Sequence, residues 1–170
     1  MPKTIWSIAP LIAPLALGAC ATTGALAPTA PAETISWSIG PCFGFCPVYS
    51  VAVSSRGAVT FDGERHTATL GRQERQLSQA AYRAVAASLA NYRPARGTTQ
   101  QTVCEQQISD QSLTRISWTA ADGSVTTLEH NKGCRSARNT ALEAVIGKLP
   151  AMLGIEPWTR QTTRPGVSRG

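Results

Sequence analysis

Residues 35–61, ISWSIGPCFGFCPVYSVAVSSRGAVTF, decide how this chain is read. Ile35, Trp37 and Ile39 alternate with serines and stop at Gly40-Pro41. Tyr49, Val51 and Val53 alternate with smaller residues, Ser55-Arg56-Gly57 turns the chain, and Val59 and Phe61 bring it back. A period of two sends successive side chains to opposite faces, so these segments read as strands with one buried and one wet face, the last two forming a hairpin. Asp62-Gly63 is a further turn signal, and His66 to Leu70 reads as a fourth strand.

Downstream the period changes. From Leu77 to Tyr92, Ala81, Val85, Leu89 and Tyr92 recur at three- or four-residue spacing, with Ser78 as N-cap and Pro94 as the stop. This stretch predicts an amphipathic helix. Residues 95–112 are polar and carry no period. Ile116, Trp118 and Ala120 then alternate, Asp122-Gly123 turns, and Val125 to His130 pairs back as a second hairpin. Ser136 caps a last helix whose stripe is Leu142, Val145, Ile146 and Leu149, with Pro150 breaking it and Gly154 near its end. The resulting order, βββ(β)-α-ββ-α, predicts an α+β fold in which antiparallel hairpins carry two helices on one face.

This single α+β domain is expected to span residues 35–155, with residues 156–170 as a basic, disordered tail in which Trp158 could still dock. Upstream, Lys3 precedes an uncharged run from Ile5 to Ala19, too short to span a bilayer stably, which reads as a signal peptide over residues 1–19. It closes on Leu17-Gly18-Ala19-Cys20, which resembles the lipobox of bacterial lipoproteins. The resemblance implies that the Cys20 thiol takes diacylglycerol and anchors the mature chain to a membrane without spanning it. Ala21 follows, where an Asp would resemble an inner-membrane retention signal, so the expected address is the periplasmic leaflet of the outer membrane. Residues 20–34 then form an Ala/Thr/Pro linker behind the lipidated cysteine.

Setting Cys20 aside leaves Cys42, Cys46, Cys104 and Cys134. An even number in an exported chain reads as two disulfides, for which three connectivities are possible. Gly44 between flanking prolines suits a tight Cys42–Cys46 loop, and Cys104 and Cys134 bracket the second hairpin, so these two pairs are favoured. A short loop bridge leaves room for thiol redox chemistry, although the Cys-x-x-x-Cys spacing is not that of thioredoxin-like enzymes.

The run Gly40-Pro41-Cys42-Phe43-Gly44-Phe45-Cys46-Pro47-Val48-Tyr49, followed by a strand, Gly57 and Val59-Thr60-Phe61, resembles the bacterial family known as domain of unknown function 6438. Its members are similar in carrying Pro-Cys-x-Gly-x-Cys-Pro-x-Tyr ahead of a hairpin, a helix and a second hairpin, often on exported lipoproteins. The resemblance implies that architecture over residues 35–150 and brings no activity with it.

Charge and motif content narrow the function. The formal net charge is +6, yet residues 21–156 hold 12 basic against 10 acidic side chains, the remaining cations lying in the leader and tail. Nucleic acid is therefore not an expected partner, since a phosphate-tracking surface needs clustered Lys and Arg. His66 and His130, the only histidines, read as partly exposed strand residues. With the cysteines oxidised they leave no zinc set, and neither a metal nor a cofactor is expected. Gly-x-Ser-x-Gly, His-Glu-x-x-His and a phosphate-cradling glycine loop are all missing from the sequence, so no catalytic residue is assigned. Phe43, Phe45 and Tyr49 are the candidate binding residues. On a loop held by Cys42 and Cys46 the two phenylalanines either face outward as a contact surface or, the commoner outcome, plug the end of the sandwich. The expected function is a cell-envelope lipoprotein with a small, non-catalytic binding or structural domain that meets an envelope protein; the alternative is a periplasmic thiol–disulfide redox protein or other envelope enzyme.

Overall fold

The computed structural model describes residues 32–162. Four strands come first, β1 (Glu33–Ile39), β2 (Val48–Ser54), β3 (Ala58–Arg65) and β4 (Gly71–Gln76), followed by α1 (Gln79–Leu89) and a 3-10 turn over Ala90–Tyr92. Then come β5 (Thr99–Gln101), β6 (Gln106–Gln107), β7 (Leu113–Ala120), β8 (Val125–Asn131), β9 (Cys134–Arg135), α2 (Ala137–Met152) and α3 (Glu156–Thr159). The main sheet has the order β4-β3-β2-β1-β7-β8-β5. β1 is its centre, antiparallel to β2 on one side and to β7 on the other, which joins the two hairpin halves into one sheet. Among the described strands only β5 runs parallel to its neighbour, β8. The fold is α+β, with helices over one face and both disulfides formed.

The alternation in the sequence is the alternation in the sheet. Ile35, Trp37 and Ile39 face inward, as do Val51, Val53, Val59, Phe61, Ile116, Trp118 and Leu128, and they meet Tyr82, Val85 and Leu89 of α1 and Leu142, Ile146 and Leu149 of α2 in one core. The intervening Ser36, Ser38, Ser50, Ala52 and Ser117 lie on the other face, which carries the cross-strand ion pair Arg115–Glu129 at 2.7 Å. One apolar and one polar face is what an antiparallel sheet covered on a single side requires.

Ser136 caps α2 as expected, its hydroxyl accepting from Asn139 N at 3.1 Å. Pro150, expected to break the helix, lies inside it. The helix ends one turn later in a Schellman motif, with Ile155 N donating to Pro150 O, Gly154 N donating to Ala151 O, and Gly154 at φ 62°. The Arg75 guanidinium of β4 donates to the carbonyls of Leu153 and Gly154, adding a cation at the negative end of the helix.

Other expectations are corrected. The fourth strand is Gly71–Gln76, not residues 66–70, which form a turn with His66 at φ 60° and Thr67 Oγ1 donating to Thr69 O at 2.7 Å. Ser78 precedes α1 without a side-chain capping bond. The first strand begins at Glu33, inside the expected linker, and residues 156–162 are docked, not a disordered tail. Trp158 of α3 packs on Phe61 at 5.7 Å and under the Arg75 guanidinium, while Thr162 N donates to His66 O. The proposed signal peptide, Cys20, the linker up to residue 31 and residues 163–170 lie outside the described residues.

Candidate functional site

Both disulfides sit at the same end of the sheet, where β1 and β8 finish and β2 and β7 begin. β1 leaves the sheet at Gly40, whose N–H donates to Leu113 O at 2.8 Å. The chain then closes on itself through Cys42–Cys46, with a Cα separation of 5.8 Å. Gly44 between them has φ 139°, a backbone state that L side chains rarely adopt. Cys104–Cys134 clasps the second hairpin, as its flanking positions imply, with β6 pairing with β9 alongside it. The two bridged loops are tied to each other: Phe43 N donates to Asp110 O at 3.0 Å.

This rim carries apolar side chains to the surface. Phe43 is 90% exposed, so it does not plug the sandwich, and Phe45 is 41% exposed with its ring set edge-on to His66 at 5.3 Å. Ile108 and Leu113, on the adjoining segment, are also exposed. Tyr49 does not join them. It is a core side chain stacked against Phe61 at 5.7 Å, and burial pushes its hydroxyl up to about 12, the nearby Trp37 indole pulling the other way. The Trp37 indole nitrogen nevertheless meets no partner in hydrogen-bonding geometry.

Behind the 41–47 loop lies a cavity of about 400 Å³ between the sheet end and α2. Ile39, Tyr49, Ile146 and Pro150 form its apolar wall, and Ser112, Lys132 and Glu143 supply polar groups. Glu143 is held from behind by His130, which is fully buried, against the expectation of partial exposure. His130 Nε2 lies 2.7 Å from Glu143 Oε1, and Nδ1 lies 2.9 Å from Thr102 Oγ1. An ionised carboxylate only accepts, so in this contact the proton lies on Nε2. This chain of three pins β8 to α2 and to the end of β5. His130 was legible in principle, because it shares the inward phase of Thr126 and Leu128 in β8. Among the described residues, no group of three or more His, Cys, Asp or Glu is placed to hold a metal ion.

A seven-stranded antiparallel-centred sheet with helices on one face and a disulfide-bridged loop at the end of its central strand defines a small α+β domain built around that loop. The family model described as domain of unknown function (DUF6438) matches residues 33–153, and the chain belongs to that family. The match stops just short of Ile155 and α3, which complete the core at its C-terminal edge. No curated protein matches the chain.

Proposed function

We propose that this chain is a cell-envelope lipoprotein, acylated at Cys20 and facing the periplasm from the outer membrane, whose domain binds an envelope protein through the 41–47 loop. The observation that carries this reading is Phe43, 90% exposed on a loop restrained by a disulfide at its base and by the bond to Asp110. A large apolar side chain on a rigid loop loses little entropy on docking, and such residues dominate contact energies at interfaces. Phe45, Ile108 and Leu113 extend the apolar surface around it. The Leu17-Gly18-Ala19-Cys20 run supports the anchor.

Mass spectrometry, crosslinking and substitution test the reading. Mass spectrometry of membrane-extracted protein is expected to find a diacylated N-terminal Cys20; an unmodified mature chain starting elsewhere defeats the anchor. A photo-crosslinker placed at position 43 is expected to trap a defined envelope protein, and exchanging Phe43 and Phe45 for Ser to abolish the complex while the melting temperature stays nearly unchanged. If the double substitution unfolds the domain, the rings are structural and the loop is not a docking surface. If instead Cys42→Ser removes activity in a disulfide-exchange assay that the Phe substitutions leave intact, the redox alternative holds.

A further inference from the structure

The cavity behind the loop has a wall that breaks two helix rules at one place. Gly147 stands in the interior of α2, where glycine is less favourable than alanine, and a Cβ built on it would meet nothing within 4 Å outside its own helix. Packing therefore does not require a glycine here, and its missing side chain opens onto the cavity. One turn on, Pro150 lines the same cavity and brings no N–H for the carbonyl of Ile146, another lining residue. Pro150 is itself buried and its carbonyl closes the helix cap, so packing accounts for it; Gly147 is exposed and gains nothing from packing, and a rule broken without such a gain on a cavity wall points to a ligand.

The charges on the wall say which ligand. Lys132 Nζ lies 3.9 Å from Glu143 Oε2, close enough to pair but too far to hydrogen-bond. Glu143 cannot swing to close that gap without giving up His130, which holds its other oxygen at 2.7 Å. A cation and an anion are thus presented side by side with hydrogen-bonding capacity unspent, above an apolar wall of Ile39, Ile146 and Pro150. An anion alone would be repelled by Glu143, and a cation alone by Lys132. An α-amino acid answers both, since its ammonium and carboxylate sit on one carbon and can bridge the pair. The space of about 400 Å³ admits a branched or aromatic side chain. We propose that this cavity binds a free α-amino acid with an apolar side chain. The proposal does not rest on the lipid anchor or on the Phe43 surface.

The test is a titration of the purified, oxidised full chain with L-leucine, L-valine and L-phenylalanine, followed by backbone amide chemical shifts. At least one is expected to give saturable shifts that include Lys132 and Gly147, with a Kd of about 1 mM or tighter. N-acetylation, which removes the ammonium, and amidation, which removes the carboxylate, are each expected to weaken binding at least about tenfold. Gly147→Leu fills the cavity from a helix position that favours leucine, and is expected to lose binding by a similar factor with its circular dichroism unchanged. If that variant does not fold, Lys132→Met serves, with the same loss expected. No saturable shift with any of the three amino acids overturns the proposal. So does equal binding of a blocked derivative, or retained affinity in a folded cavity variant.

Discussion

Removing the Cys104–Cys134 bridge should destabilise the domain more than removing Cys42–Cys46, and the structure supplies the sizes. The bridges close loops of 31 and 5 residues, read from sequence separations of 30 and 4. Chain-entropy theory, in which the stabilisation grows with the logarithm of loop length, gives about 3.7 and about 2.1 kcal/mol at 25 °C. An unfolding entropy of roughly 2.1 cal/mol/K per residue, taken over the 131 residues from 32 to 162, amounts to about 0.28 kcal/mol/K. The expected falls in melting temperature are therefore about 13 °C for Cys104→Ala/Cys134→Ala and about 7.5 °C for Cys42→Ala/Cys46→Ala. Alanine is chosen because Cys134 is buried, and a serine there would add an unpaired hydroxyl to the loss of the crosslink.

The assay is calorimetric unfolding of both variants beside the parent, oxidised and reduced. Reduced parent should approach the sum of the two losses. Several contacts still hold residues 102–112 without the bridge, among them the β6–β9 pairing, Ile108 N donating to Gly133 O at 2.9 Å, and Asn139 Nδ2 donating to Val103 O at 2.9 Å. The loss should accordingly leave a cooperative transition at lower temperature, not a frayed one. The reverse order, with the short bridge mattering more, would refute the loop-length reasoning and show that local strain and packing decide instead.

The same substitution should act with opposite sign at two glycines. Gly57→Ala places a Cβ against the Leu77 carbonyl at φ 85° and should lose at least about 2 kcal/mol, whereas Gly147→Ala should gain about 1 kcal/mol; chemical denaturation of both variants checks the pair. Trp158→Ala should lose roughly 1–3 kcal/mol, because its ring packs on Phe61 and under Arg75, while a neutral result would return residues 156–162 to the status of a tail. Asp122 is drawn down to about 2, first by the Ser124 hydroxyl, then by its N–H, with Arg96 adding to the effect. Its contribution to stability is therefore present above the unfolded carboxyl value and disappears as pH falls through about 2, and in Ser124→Ala an NMR titration should show the carboxyl moving up.

The parts of the fold that were legible are those in which each strand buries one face. β1, β2, β3, β7 and β8 announce themselves because Ile35/Trp37/Ile39, Val51/Val53, Val59/Phe61 and Ile116/Trp118 must all reach one core. β4, GRQERQ, and β5, TQQ, are edge strands whose side chains face mostly water, so a period-two signal never forms; backbone pairing to β3 and β8 alone defines them. Pro150 misled because its usual effect is to stop a helix, and here the Schellman turn and Arg75 satisfy the carbonyls that follow it. Trp158 sits in a polar run with no repeating partner, so its docking depends wholly on tertiary contacts with Phe61 and Arg75. The cysteine loop was readable as a loop, but not the direction of Phe43, which is set by the bond to Asp110 from a segment that has no sequence signal of its own. The cavity is assembled from the ends of β1, β2, β7 and β8, from α2 between Glu143 and Pro150, and from Thr159 and Gln161, and no local pattern records that meeting.

The geometry of β1 bears on how a tethered domain would present itself. At its first residue, the Glu33 carboxylate accepts from the Tyr82 hydroxyl at 2.7 Å and from Arg93 at 2.6 Å, and the Arg93 guanidinium lies over Trp118. The point where the chain enters the domain is thereby fixed to α1 and to the sheet. At its last residue, β1 hands the chain directly to the 41–47 loop. Seven strand residues at about 3.3 Å each separate the two, roughly 23 Å across the domain. The anchor proposed at Cys20 would enter the domain at this locked end, which would leave Phe43 and the disulfides at the far end of β1. The proposed anchor and the proposed surface are therefore compatible in one molecule: the central strand that joins the two halves of the sheet has its entry point at one end and the exposed rim at the other.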